Sequence, residues 1–134
     1  MIIIDGTNAV LGRVASHAAK SALRGEDIAI LNAEKMAITG DPKMVVGEYR
    51  RMRNIKDIAN PLKGPFLPRR PDLFVKRSMQ GMVPKRKRGK EALSRIKAYI
   101  GEPNEFKGKG KHMFECKSRF VTVGEVCRAL GWNG

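Results

Sequence analysis

The side chains with the strongest chemical signature in this chain are cations, and they come in runs: Arg50-Arg51-Met52-Arg53, Arg69-Arg70 and Lys85-Arg86-Lys87-Arg88. Residues 69–90 also contain Lys76, Arg77 and Lys90, so this stretch holds nine Lys or Arg against one acid, Asp72. Like charges this close repel one another, and phosphates placed between them relieve the repulsion. Arginine adds a planar fork that donates two hydrogen bonds to one phosphate, whereas lysine offers a point charge. A face that serves solubility alone carries mixed signs. The runs therefore predict polyanion binding, with nucleic acid as the first partner to consider. Lys56, together with Lys107, Lys109 and Lys111 set among glycines, extends the same set.

Catalytic and metal chemistry finds far less to work with. No glycine loop ends in Gly-Lys-Ser/Thr, and Gly108 and Gly110 do not extend to a dinucleotide fingerprint. Ser16 and His17 are neighbours on a helical stretch, where adjacent side chains diverge by about 100°, so they cannot act as a pair. His17 reads as a surface or half-buried helix residue. Asp5 falls at the end of a strand, a frequent place for active residues in α/β folds, but it reads more simply as a turn acceptor for nearby amides. His112 and Cys116 have ligand-like spacing, yet a zinc site needs three or four ligands and only Cys127 remains. No catalytic residue, metal, cofactor or small-molecule substrate is expected. The seven methionines form no stripe and read as core filling. Trp132 has two readings, packing of the last helix or stacking on a base.

The elements that must position these residues belong to one domain of 134 residues. Charge divides it: residues 1–49 have a net charge of −1, and residues 50–134 have +15. No apolar run is long enough to cross a membrane, and the N-terminus lacks the features of a secretory signal. A membrane surface is a poor partner, because the basic residues are interleaved with Pro and Gly rather than laid along an amphipathic helix. Two cysteines are too few for a disulfide framework. These features predict a cytoplasmic protein.

Met1 to Ile4 is a β-branched apolar run closed by Asp5-Gly6, a buried strand and turn. Thr7 or Asn8 is placed to cap a helix in which Val10, Leu11, Val14, Ala15, Ala18, Ala22 and Leu23 recur at helical spacing, with Gly25 just past its end. Ile28 to Leu31 is a second buried strand. Strand, helix and strand make a βαβ unit with a parallel pair. Ala33 to Met36 reads as one helical turn, and Asp41-Pro42 starts a helix. Glu48 to Asn54 fits either the end of that helix or a third strand. Prolines 61, 65, 68 and 71 make residues 55–71 an extended connection. Asp72 to Met82 is helical, Val83-Pro84 breaks it, and Lys85 to Arg88 is a basic loop. Lys90 to Lys97 is a further helix, and Ala98 to Gly101 a last short strand. Residues 102–120 read as polar and irregular, and Thr122 to Leu130 as a helix with Thr122 and Glu125 in capping-box spacing.

No helix-turn-helix, zinc finger or basic zipper is present, nor the signatures of an RNA-recognition motif or KH domain. Basic loops on a compact core suit the irregular backbone of folded RNA. Four segments then carry a family resemblance: IIIDGTNAVLGRVAS, ILNAEKMAITG, VKRSMQGMVPKRKRGKEAL and RIKAYIG. In this order, from residue 2 to about 101, the chain resembles the L-thirteen family of large-ribosomal-subunit proteins. The resemblance implies a three-layer α/β/α fold around a four-stranded parallel sheet, with basic loops and a C-terminal extension. It implies a structural role on large-subunit ribosomal RNA, beside neighbouring ribosomal proteins, with no enzymatic activity. It places Gly12-Arg13 at the family's Leu-Gly-Arg position. Gly81, Met82, Pro84 and Gly89 take the Gly-Met-x-Pro loop, with Lys85 to Arg88 as its basic stretch. The direct step from Arg24-Gly25-Glu26-Asp27 into the second strand is similar to the short archaeal type. The match covers a core of about 1–101; residues 102–134 match less clearly.

The reading is an rRNA-binding structural protein that assembles by charge neutralisation. Its rivals are an off-ribosome RNA chaperone or regulator, and a small phosphate-handling enzyme using Asp5 with Asp41. Arg13, at the edge of the first helix's apolar stripe, is expected to make a bidentate contact to RNA phosphate or to a carboxylate within the fold.

Overall fold

The computed structural model describes residues 1–55, 58–60 and 67–133. β1 (Ile2–Asp5), α1 (Leu11–Leu23) and β2 (Ile28–Leu31) form the expected βαβ unit, with β1 and β2 parallel and Ile4 opposite Ile30. A 3-10 turn, Ala33–Lys35, leads to β3 (Ala37–Thr39) and α2 (Pro42–Asn54). After the connection come α3 (Pro71–Gln80), α4 (Lys87–Arg95), β4 (Ile96–Ala98) and a 3-10 turn at Asn104–Phe106. β5 (Lys111–His112), β6 (Phe120–Thr122) and α5 (Val123–Ala129) complete the described chain.

The main sheet has four parallel strands in the order β4-β2-β1-β5, and β3 and β6 make a separate antiparallel pair. Strand alternation sends Ile4, Ile28, Ile30 and Ile96 into one apolar cluster with Val14, Ala18, Phe74, Val75 and Met79 of α1 and α3. Burying each large side chain there contributes about 1.5–3 kcal/mol. Ala29 and Leu31 point to the other face and are equally buried. Just past β4 the Tyr99 amide donates to the Ile30 carbonyl at 2.8 Å, and the Tyr99 ring meets that of Phe106 at 5.8 Å. Both faces of the sheet are therefore covered, as a three-layer α/β/α arrangement requires.

Several local expectations change. Neither Thr7 nor Asn8 caps α1; its N-cap is Val10, and Thr7 instead donates to Asp5. Asn8 is in the left-handed region, which turns the chain before the helix starts. Glu48 to Asn54 ends α2 and is not a strand; Asp41 caps that helix by accepting from the Lys43 amide. The helix expected from Lys90 begins at Lys87, so Lys87 and Arg88 are helical and the basic loop shortens to Lys85 and Arg86. The strand expected at Ala98 to Gly101 lies earlier, at Ile96–Ala98, because Ile96 pairs with Ile28 and fills the core. The stretch 102–120 is less irregular than expected: β5 within it pairs with β1 through Ile4↔Lys111 and Asp5↔His112. The thirteen-residue α1 ends as expected, with Gly25 at φ 96° just past its C-cap. The capping box of α5 is also present, with Thr122 and Glu125 each bonding the other's backbone amide.

Only part of the methionine reading holds. Met36 and Met79 are core residues, whereas Met1, Met44, Met52 and Met82 are exposed. Trp132 takes the packing option: it lies against the core, and the Arg128 guanidinium sits 5.6 Å from its ring centroid.

Candidate nucleic-acid interface

Asp5 ends β1 only 8% exposed, where an unpaired carboxylate would be costly. Oδ1 accepts from the Thr7 amide at 3.0 Å, the Thr7 hydroxyl at 2.8 Å and Asn32 Nδ2 at 3.0 Å. Oδ2 lies 3.3 Å from His112 Nε2. Burial pushes the Asp5 pKa up, but those hydrogen bonds and the His112 charge outweigh it and hold the group below its ordinary 3.8. The carboxylate is thus a turn and strand-end acceptor, as the sequence suggested. Its suggested enzymatic partner, Asp41, is occupied as the cap of α2 and lies 3.9 Å from Arg119. Among the described residues, no group of three or more His, Cys, Asp or Glu could hold a metal ion. Burial, followed by the Asp72 charge, pushes the Cys127 thiol up to about 12, which leaves it protonated and inert at neutral pH.

The cations are placed differently from one another. Arg50, Arg51 and Arg53 occupy the last turns of α2, where the helix dipole favours positive charge. Arg50 and Arg51 are exposed; Arg53 is half-buried and donates to the Leu67 carbonyl at 2.8 Å, so it also ties the connection to α2. Lys56 lies outside the described residues. Arg69 and Arg70 precede α3, and Arg70 pairs with Asp72 at 3.0 Å. Lys76 and Arg77 lie on α3 beside Leu73 and Gln80. Lys107, Lys109 and Lys111 are exposed, with Lys111 held in β5. Arg13 is exposed on α1 and forms no salt bridge among the described residues, so the internal carboxylate option has no support there. Gly12 and Gly81 have open space where a Cβ would stand, so no neighbouring backbone requires a glycine at either place.

The best-defined cationic element is the start of α4. Lys85, Arg86, Lys87, Arg88 and Lys90 are all exposed, while Gly89 between them is buried. A Cβ on Gly89 would overlap the Pro84 carbonyl oxygen and lie 2.6 Å from the Pro84 carbonyl carbon. Absence of that one side chain lets the turn fold back onto its own helix, which fixes the backbone that carries the basic residues. The first turn of α4 contains no acid. Cations at a helix N-terminus oppose the macrodipole, each by about 0.3–1 kcal/mol, and a bound phosphate reverses the sign of that interaction.

Some cations were not singled out in the sequence. Arg95 is half-buried and donates to the Ala22 carbonyl at 2.9 Å, joining α4 to α1. Lys20 lies on the same face of α1 as Arg13, beside Phe114. The spacing of Arg13 and Lys20, two turns apart, was the available signal; nothing in the sequence pointed to Phe114.

An α/β scaffold whose strand-end carboxylate is filled by internal donors, and whose exposed cations surround a pinned helix start, has the make-up of a basic polyanion-binding protein. Sequence comparison is specific about which kind. A profile of the family described as Ribosomal protein L13 matches residues 1–105. The large ribosomal subunit protein uL13 of Methanocaldococcus jannaschii is 40% identical over 134 residues, covering 98% of each chain. Its counterpart in Methanopyrus kandleri is 44% identical over 141 residues, covering 98% of this chain and 87% of its own. That of Haloarcula marismortui is 39% identical over 137 residues, covering 98% and 92%. The chain belongs to the ribosomal protein L13 family.

Proposed function

We propose that this protein is a structural constituent of the large ribosomal subunit, held on its ribosomal RNA by charge neutralisation, and that it acts without catalysis. The observation that carries the reading is the array of exposed cations at the start of α4, anchored by Gly89 against Pro84. Arg13, Arg50, Arg51, Arg69, Lys76, Lys107, Lys109 and Lys111 supply further phosphate contacts elsewhere on the surface. Met82 lies between α3 and the anchored turn. Neighbouring large-subunit proteins are the second class of partner, and the ribosome in the cytoplasm is the site of action. An off-ribosome RNA chaperone would use the same cations but would not remain with the large subunit.

The test is binding of deproteinised large-subunit rRNA across a salt series. With about six phosphates contacted, log affinity falls against log salt with a slope of roughly −4 to −5. Glutamine at Lys85, Arg86, Lys87 and Arg88 costs more affinity than glutamine at Lys107, Lys109 and Lys111. The anchored array loses less ordering entropy on binding than Lys107 and Lys109, which flank Gly108, while Lys111 is held in β5. A slope near zero, or a larger loss from the tract, refutes this account. Co-sedimentation with large subunits at moderate salt separates the structural role from the chaperone alternative.

A further inference from the structure

The outer face of α1 forms one wall of a groove of about 470 Å³ that also includes Met82, from the turn after α3, and Phe114, from the segment after β5. Arg13, Ser16, His17, Lys20 and Leu23 line the α1 side. The lining contains no acid, and neither Arg13 nor Lys20 forms a salt bridge among the described residues. The two cations are seven residues apart, about 10 Å along the helix axis. Met82 and Phe114 are 44% and 38% exposed, far more than such side chains need to be once the core is closed.

Phe114 is held there at a cost. Its φ of 55° lies in the left-handed region, which is unfavourable for a bulky non-glycine residue. The backbone on both sides is fixed: the Val10 amide donates to the Phe114 carbonyl at 2.9 Å, and the Cys116 amide donates to the Asn8 carbonyl at 2.8 Å. These bonds fix the backbone from which the ring projects. The ring lines the groove and meets the His17 ring in a tilted arrangement, with 5.8 Å between centroids and 59° between planes. An aromatic face flanked by two free cations fits a base with phosphates on either side of it.

We infer that this groove is a nucleotide subsite: it takes one unstacked base of the RNA against Phe114 and Met82, with the flanking phosphates on Arg13 and Lys20. Met82 precedes Lys85 by one turn of chain, so a strand crossing the anchored cations continues into the groove. The subsite rests on the rRNA-binding reading above. An acidic or aromatic segment of a neighbouring protein is the competing occupant. The groove's place beside the RNA-facing array favours the nucleotide.

The experiment compares wild type, Phe114→Leu, Phe114→Tyr and Arg13→Ala for affinity to deproteinised large-subunit rRNA, with thermal unfolding of each. Leucine keeps apolar bulk and removes the π face, so Phe114→Leu is expected to bind about 10-fold more weakly with its salt slope unchanged. Phe114→Tyr restores binding. Arg13→Ala weakens binding and reduces the magnitude of the slope by about one. If wild type does not bind rRNA in a salt-dependent way, the rRNA reading and the subsite both fail. If wild type binds and Phe114→Leu binds equally, the subsite alone is overturned. If Phe114→Leu binds naked rRNA normally but is incorporated poorly into subunits, the groove takes a protein, and the nucleotide assignment is likewise overturned.

Discussion

The same chemical change, glycine to alanine inside a helix, should have opposite effects at two positions. Gly47 lies in α2, is exposed, and has open space around a hypothetical Cβ. Alanine there gains helix propensity and restricts the unfolded chain, so Gly47→Ala is expected to stabilise by about 0.5–1 kcal/mol. Gly89 gains the same propensity, but its new methyl would overlap the Pro84 carbonyl. Pro84 is fixed in φ, and Val83 before it is buried, so the turn can yield only by shifting backbone. Such overpacking costs about 1–3 kcal/mol, and more where backbone must move. For 134 residues the unfolding entropy is about 0.28 kcal/mol per kelvin. Gly47→Ala should therefore raise Tm by roughly 2–4 °C, and Gly89→Ala, after its propensity gain is subtracted, should lower it by up to roughly 9 °C, as read by calorimetry. Gly89→Ala should also weaken rRNA binding, because the shifted turn carries Lys85 and Arg86, whereas Gly47→Ala should not. A Gly89→Ala protein with a Tm at or above wild type would refute the anchoring of the basic array.

Two further outcomes follow from buried groups. Asp5→Asn removes charge-assisted hydrogen bonds and should cost about 1.5–3 kcal/mol at pH 7. The folded pKa of Asp5 lies below its unfolded value near 3.8, so the contribution is fully present above that value and is lost as pH falls through the folded pKa. The Tm gap between wild type and Asp5→Asn should therefore close in acid below about pH 3.8; a gap constant down to pH 2 would refute the hydrogen-bonded carboxylate. An aromatic disulfide reagent at pH 8 should modify only Cys116 in the native protein and both cysteines in guanidinium, because Cys127 is fully buried with its thiol pushed up to about 12. Two fast equivalents in the native state would place Cys127 at the surface.

The candidate interface was legible as a set of residue types but not as an arrangement. Runs such as Lys85 to Arg88 announce polyanion binding because repulsion of like charges is a property of composition and spacing. Which of them are free to bind is a property of the fold. Arg53 donates to Leu67 and Arg95 reaches back to Ala22, contacts 14 and 73 residues apart with no local signal, whereas the Arg70–Asp72 pair spans two residues. Phe114 was invisible for the same reason, since its position depends on backbone bonds to Asn8 and Val10 far earlier in the chain.

Local physics was enough for the elements whose cause is local. The β1-α1-β2 unit, the Asp41-Pro42 start of α2 and the Thr122–Glu125 capping box each follow from periodicity or from a side chain bonding a nearby amide. The family resemblance, carried by the basic block and the first two strands, was equally present in the chain itself. Only the tertiary structure decided the edge strand β5 and the pairing of β3 with β6. Lys111-His112 has no apolar alternation and becomes a strand because Ile4 and Asp5 of β1 offer free backbone partners. The same holds for the start of α4. Its sequence reads as a loop, and it becomes the first turn of a helix because a bare Gly89 lets Pro84 close against it, a contact between atoms that no residue-by-residue propensity contains.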